Sequence, residues 1–573
     1  MDFSVRHLAA VLLDGYISRH WAEGDSKYTG PPVSDQVRPL LRHHLLSSLT
    51  ITSVSGAGEG GDNSSAQMIS SQTKRLLSSY AHSVSKIAAV DWPAAWPELF
   101  PVLAGYLVSK ENASAVFSSL AVFSELAHEI TDMQVPSVAP VLLPAMLDIF
   151  TGSYPTRYRA RAITVFVTLA ETIFLMAEYQ RGAIKQYLEP HITRYAEAVI
   201  AALEAPETGP QASPEVDVAL KAELLVGVSK LLKSCSLVGG AGKRLLKPYL
   251  HRLMELVWRG LNTATPTYVQ RVVNMKRSIG GPPRVKVGFD FYANPSSETG
   301  GDKSADPEDH SSFDAYLYAL LNFIQDLFES SGKYRTLVRP VLTDLLHLLL
   351  QLMEVTSEQE QAWLIDTEQF LEDDDLDSAG YSVRLSAQDL LMALAKELAV
   401  SGKGATSNST NQIPKKKLED DRLFKVAFAA VLKRHFSSAA GGDFRTSKSW
   451  WKPVEAGLCA LGMIAPTVIW TIKTSGPGAE DLAAEFQSIL DTVLGQSMAA
   501  GQQAPFLAGR ALWTAARFSP IMNDASLEGF LAMTAGMLAS TTKETLEQGV
   551  LKVHALRATY YFCEHVSVNS KVS

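Results

Sequence analysis

The stretch Asp91-Trp92-Pro93-Ala94-Ala95-Trp96-Pro97-Glu98-Leu99-Phe100 decides how the rest of the chain is read. Apolar residues at helical spacing lead into it (Leu76, Tyr80, Val84, Ile87, Val90) and out of it (Leu99, Phe100, Leu103, Leu107), so it is the turn of a helical hairpin. Pro93 has no amide hydrogen and disfavours the α region for Trp92, which ends the first helix there. Pro97 suits the first position of the next helix, where a missing donor costs nothing. Trp92 and Trp96 are expected to wedge between these helices and the neighbouring pair, fixing the angle at which they meet. Spacing alone fits equally well a turn with two buried aromatics in any helical protein.

Outward from this turn the helical period continues. Residues 3–20 place Val5, Leu8, Ala9, Leu12, Leu13, Tyr16 and Ile17 on a helix, and Val37, Leu40, Leu41 and Leu45 mark a second. Residues 52–66, rich in Gly and Ser, read as a loop. Further helices are expected near 97–109, 112–131, 136–150, 157–178, 183–204, 216–234 and 243–262. Gly280-Gly281-Pro282-Pro283, Gly300-Gly301 and Pro307 then mark 264–310 as a long insertion. Helices resume near 311–330, 334–353, 379–399, 419–437, 449–472, 478–496, 504–518, 525–540 and 544–566, and no strand-like alternation of useful length occurs. Pairs recur about every 40–50 residues, the period of helical-repeat arrays. One hairpin cannot bury its own apolar stripe, so each shelters the next, and the expected fold is all-α, a superhelical solenoid with a concave side. The division expected is 1–109, 110–263, the insertion 264–310, and 311–573.

The composition excludes several classes. With 573 residues and a formal charge of -8, bulk attraction to nucleic acid is not expected. Cys235, Cys459 and Cys563 are far apart and odd in number, which argues against a disulfide framework and for a reducing compartment. The opening Met1-Asp2-Phe3-Ser4-Val5-Arg6 lacks the basic-then-apolar form of a secretory signal. Ala456 to Ile472 is uncharged and of borderline membrane length, but Gly457, Gly462 and Pro466 within it favour a buried helix, and no membrane insertion is expected. His128-Glu129 is followed by Asp132 where a zinc protease needs a second histidine, Lys243 and Lys403 lack a phosphate-loop pattern, and no cysteine pair has zinc spacing. Neither enzyme activity nor a cofactor is expected.

The strongest signal beyond packing is acidic. From Glu354 to Asp377 the chain carries ten acids and no lysine or arginine, a density that repels itself unless a basic partner arrives. The plain alternative is a solvated loop, or helix starts where acids suit the dipole. Trp363 and Phe370 within the run supply apolar anchors. Lys415-Lys416-Lys417 reads as a helix-start loop offset by the acids after it, and Arg157, Arg159 and Arg161 as packing on the carbonyl end of the preceding helix.

The D-W-P-x-x-W-P turn resembles the signature of the importin-β (karyopherin-β) family. Other segments resemble that family in the same order: Glu129–Asp132 through Pro136–Pro140, Gln369–Asp375, Val383–Leu391, Trp450–Lys452 and Gly509–Trp513. The resemblance implies a HEAT-repeat receptor for nuclear import that moves between cytoplasm and nucleus. Its implied partners are Ran in its GTP form, basic cargo such as core histones, and nuclear pore proteins, with no direct nucleic acid. It also implies that Glu372, Asp373, Asp374, Asp375 and Asp377 form a cargo-binding acidic loop near the Ran surface, while Trp92, Pro93, Trp96 and Pro97 form a structural turn. Two departures stand out. Asp14-Gly15 replaces a lysine common in the family's first-domain helix, and the first helical pair and the C-terminal half are expected to be missing. A static helical scaffold without a nucleotide switch is the alternative.

Overall fold

The computed structural model describes residues 3–24, 26–50, 71–109, 112–205, 214–238, 240–274, 311–330, 335–374, 382–400, 415–440, 449–474, 480–499, 504–539 and 546–569. Among them there is no strand. The expected insertion begins later than its composition suggests, because helix runs through 264–268 and a π-helical turn through Val269–Val273. The expected loop 52–66 and most of the insertion lie outside the described residues.

The helices separate into two units, Met1–Leu256 with Phe289–Ala319, and Val257–Gly288 with Leu320–Ser573. In the first unit one layer is formed by α1 (Phe3–His20), α3 (Ser71–Asp91), α5 (Ala113–Leu126), α7 (Thr156–Met176) and α9 (Pro214–Leu237), each packed on the next. Behind it lie α2 (Val37–Ser48), α4 (Leu99–Ser109), α6 (Val135–Thr151), α8 (Glu189–Glu204) and α10 (Gly240–Leu246). The central helix α5 is buried along almost its whole length, as a helix covered on both sides by equivalent neighbours must be. Asn112 starts it, accepting hydrogen bonds from the Ser114 and Ala115 amides at 2.9 and 3.2 Å, and its own amide group donates to the Thr50 carbonyl at 3.0 Å.

The helix α11 (Leu250–Tyr268) and α12 (Ser311–Ser330) pass from the first unit to the second. There follow α13 (Arg335–Val338), α14 (Leu342–Leu352), α15 (Ser357–Ile365), α16 (Thr367–Asp373), α17 (Val383–Leu398) and α18 (Lys415–Ala440). The last six are α19 (Trp451–Met463), α20 (Ala465–Lys473), α21 (Glu480–Ala499), α22 (Pro505–Arg517), α23 (Asp524–Ala539) and α24 (Leu546–Asn569). Helices α17, α19, α22 and α24 pack in sequence, with α18, α21 and α23 behind them and α15 and α16 laid against α24. The single helix expected over 449–472 is two, bent by 67° where Pro466 starts a new helix. Among the described residues no single helix is long and apolar enough to cross a membrane. Among those same described residues, the only adjoining pairs that reach that length together are bent, by 67° here and by 40° across α13–α15.

At the tryptophan turn α3 ends at Asp91, as the prolines require, and α4 begins at Leu99, so Pro97 belongs to the turn rather than to the helix start. The two tryptophans are unequal. Trp96 is fully buried, whereas Trp92 is half-buried with its ring 6.3 Å from that of Phe100, and Pro93 and Pro97 are exposed. The bolt of the turn is Asp91, buried, which accepts from the Trp21 indole at 3.0 Å and from Arg42 Nε at 3.0 Å. Arg42 also donates to the Ala95 carbonyl at 2.7 Å and lies 5.9 Å from the Trp96 ring. Asp91 thus joins the end of α1, α2 and α3 at one carboxylate.

Removal of the fully buried Trp96 by Trp96→Ala is expected to cost the N-terminal unit about 3–5 kcal/mol, and Trp92→Ala less than half as much. Denaturant unfolding of that unit checks this; equal losses at both positions would contradict the assignment of the wedge to Trp96.

Candidate functional site

Over its described residues, 354–374, the acidic run is two short helices rather than a loop. Thr356 accepts from the Gln359 amide and the Gln359 side chain accepts from the Thr356 amide, both at 3.1 Å, a capping box that starts α15. Asp366 then caps α16, accepting from the Glu368 and Gln369 amides at 2.9 and 3.3 Å. Glu358, Glu360 and Glu368 stand in first helical turns, where their charge opposes the dipole favourably. Trp363 and Phe370 are the anchors, both buried, with ring centroids 5.1 Å apart and the Phe506 ring 5.6 Å from Trp363.

Beneath these two short helices lies a cluster of buried charges. Arg384 of α17 holds Glu455 of α19 through two bonds of 2.8 and 2.9 Å, the planar fork matching the carboxylate, and also donates to the Met353 carbonyl. Arg510 of α22 donates to Glu455 at 2.8 Å and pairs with Asp374, which Arg557 of α24 reaches at 2.7 Å. Lys452 ties Glu360 at 3.0 Å to the Val273 carbonyl, also at 3.0 Å. Burial pushes the Asp374 carboxyl up, but Arg510, with further help from Arg384 and Arg557, outweighs it and holds the group below the usual range. Burial, then Arg510, pushes the His554 imidazole down to about 3, so it is neutral beside them. Glu354, by contrast, is pushed up to about 8 by burial despite Lys452. A Cβ on Gly509 would stand 2.3 Å from His554, and one on Gly462 2.2 Å from Trp513, so glycine at both positions sets how closely α19, α22 and α24 approach.

This placement corrects the expectation for the acidic loop. The Asp374 side chain is 3% exposed and committed to arginines of the same chain. Asp373 accepts from the Trp363 indole at 3.0 Å and from Gln369 at 2.7 Å. Glu372 is exposed on α16, and Asp375 and Asp377 lie outside the described residues. For Asp374 and Glu360 the basic partners are internal. Four of the segments that carried the family resemblance, around Asp374, Arg384, Lys452 and Arg510, meet here. Sequence reasoning singled out each segment without naming its arginine or lysine as a partner, because the pairs are separated by up to 183 positions.

Elsewhere Arg159 donates to the Phe150 carbonyl at 2.8 Å, the helix-end packing expected of it. Lys417 bonds the Glu397 carbonyl, with Lys415 and Lys416 exposed beside it. Asp14 pairs with Lys86 at 2.8 Å, while His82 meets Glu125 at 2.9 Å, joining α1, α3 and α5. Among the described residues no group of three or more His, Cys, Asp or Glu could hold a metal ion.

The two layers of antiparallel helices, each pair sheltering the next, define a HEAT-type helical-repeat protein. The family model described as the importin-beta N-terminal domain matches residues 1–50. The chain is 23% identical over 570 residues to Importin-9 of Drosophila melanogaster, covering 98% of this chain and 47% of that protein. It is 23% identical over 413 residues to Importin subunit beta-5 of Schizosaccharomyces pombe, covering 68% of this chain and 36% of that one. Among solved structures it is similar to Lph2, a bidirectional nuclear transport receptor of S. cerevisiae, at 12% identity and a TM-score of 0.44 over 98% of this chain and 58% of that one. The chain is thus similar to importin-β family members along nearly its whole length, and it spans less than half the length of these curated relatives.

Two outcomes test the cluster. Asp374→Ala leaves the buried Arg510 and Arg384 to share the single carboxylate of Glu455 and is expected to cost about 3–5 kcal/mol in the unfolding of the second unit. Glu372→Ala should stay within about 0.5 kcal/mol, as an exposed change does. For Glu354 the folded group holds its proton to about pH 8 against an ordinary value of 4.5. Its contribution is therefore fully present below the ordinary value, falls as pH rises, and is lost above about 8. Melting temperatures across this window should decline more for the native chain than for Glu354→Gln; parallel declines would contradict the assignment.

Proposed function

We propose that this chain is the cargo-loading part of a nuclear import receptor, one that takes up basic protein cargo such as core histones and releases it when Ran binds in its GTP form. The observation that supports this reading most is the match of α1 and α2 to the importin-beta N-terminal domain, together with similarity to Importin-9 along 98% of the chain. Residues 1–109 are the region assigned to Ran. Ran and cargo each change the affinity for the other, by linkage through shared or competing surface, and the nucleotide state of Ran supplies direction. Nuclear pore proteins are the third partner, and the receptor shuttles between cytoplasm and nucleus.

The internal pairing of Asp373 and Asp374 narrows the proposed cargo contacts to Glu372, Asp375 and Asp377, with Glu368 exposed on the same short helix. Single exposed pairs contribute only about 0–1 kcal/mol each, so such a surface acts through capture rate and selectivity more than through tight grip. The competing reading is a static scaffold, which would ignore the nucleotide on Ran.

A pull-down with Ran locked in its GTP form is expected to retain more of this chain than one with the GDP form; no preference would favour the scaffold. Replacing Glu372, Asp375 and Asp377 together by Ser should weaken binding of a core-histone dimer and flatten its salt dependence, and an unchanged affinity and salt slope would remove these residues from cargo recognition.

A further inference from the structure

The second unit carries two surface patches of opposite charge, each with exposed apolar side chains in it. The first is on α18, whose inner face is buried, with the Phe424 and Phe428 rings stacked 6.0 Å apart. On its outer face Lys415, Leu418, Arg422 and Val426 form one row at helical spacing, with Lys416 and Leu423 beside it. Leu418, Leu423 and Val426 are 45%, 40% and 48% exposed. Most acids of this helix are engaged within the chain. Asp420 pairs with Arg339, and Asp421 takes Lys425 at 2.8 Å and the Val400 amide at 2.6 Å, which leaves Glu419 as the exposed acid of α18. Further along, Lys433 holds Glu485 of α21 at 2.6 Å. On the helices packed against α18, exposed acids are Asp344 of α14, Asp389 of α17, and Glu480, Asp481 and Asp491 of α21, outside the two rows.

The second patch is the outer edge of α15 and α16. Ile365 is 74% exposed and Leu371 40%, and Asp366, Glu368 and Glu372 are exposed beside them. Residues 358–374 contain no lysine or arginine. Cations of the neighbouring helices are already taken, Lys452 by Glu360 and both Arg510 and Arg557 by Asp374, while Lys552 of α24 is half-buried. Exposed large apolar side chains within a charged rim mark a binding surface, and opposite charge fixes the partner and its register.

We propose that the acidic edge of one copy of this chain, Ile365, Glu368, Leu371 and Glu372, binds the α18 stripe of a second copy. Ile365 and Leu371 enter among Leu418, Leu423 and Val426, while Glu368 and Glu372 meet Lys415, Lys416 and Arg422. The chain itself thus supplies the segment that the basic stripe fits, two large apolar side chains set among carboxylates with no cation in the run. Because the two patches differ, copies exchange the contact reciprocally or pass it on head to tail. One short helical edge on one stripe is a small interface, so the association is reversible and of about micromolar affinity.

Sedimentation velocity of the full chain from about 1 to about 100 µM tests this, and the native chain is expected to pass from monomer to larger species across that range. Lys416→Glu with Arg422→Glu, and separately Glu368→Lys with Glu372→Lys, should each weaken self-association about tenfold, as should Leu423→Ser with Val426→Ser. Mixing the two charge variants should restore it, because the reversed stripe of one then faces the reversed edge of the other, and the restored contact also shows that both are folded. A native chain that stays monomeric, variants that associate as the native chain does, or a mixture without recovery overturns the proposal. The proposal goes beyond the transport reading and does not rest on it, although Glu372 belongs to both. The histone titration bears on cargo alone, and the charge exchange between copies on self-association alone.

Discussion

Taking a carboxylate and a guanidinium out of water is costly, and their mutual attraction recovers that cost only when the geometry is good and every remaining donor and acceptor is filled. The second unit is built on that constraint. Asp374 and Glu455 are surrounded by Arg384, Arg510 and Arg557, and these five residues come from the end of α16, from α17 and α19, and from the later helices α22 and α24. Sliding any one of these helices by a fraction of a turn would strand a buried charge. Apolar packing between repeats tolerates such sliding far better, because one leucine surface is much like the next. The cluster therefore supplies register more than net stability. Trp363, Phe370 and Phe506 keep water from it on one side, and Gly509 and Gly462 let the helices close over it.

The first unit uses the same device on a smaller scale. Asp91 closes the tryptophan turn by taking the Trp21 indole and the Arg42 guanidinium, so a carboxylate at the end of one helix again fixes other helices, here ones that precede it in the chain. In both units the acid sits where the chain leaves a helix and the arginine sits within a helix. Arrays of this kind depend on contacts between nearest neighbours. A charged bolt between neighbours determines which of several nearly equivalent packings is adopted.

How far the sequence disclosed this differs from element to element. The end of α3 was legible because Pro93 acts on the residue beside it, and the buried helix over Ala456 was legible from its glycines and its lack of charge. The bend at Pro466 was present in the same stretch but was outweighed by the length of the apolar run. The helices within Glu354–Asp374 were hidden by their own acidity: ten acids with no base nearby in sequence read as an exposed loop, although Thr356 with Gln359 is a helix-start pattern. The pairs that neutralise Asp374 lie 136 and 183 positions away, and no local rule could connect them. Family resemblance marked the right segments for a reason that concerns packing at least as much as partners.

An acidic segment folded onto its own arginines has different consequences from a tether that awaits a cation. Its helices are ordered before any partner arrives, so binding at its exposed edge needs little additional ordering. Amide hydrogen exchange of the partner-free chain tests this most directly. Ordered helices predict strong protection of the amides within residues 359–374, lost when Arg510 is replaced by Met. Exchange across that segment at the rate of an unfolded chain, becoming slow only when a basic protein is added, would contradict it.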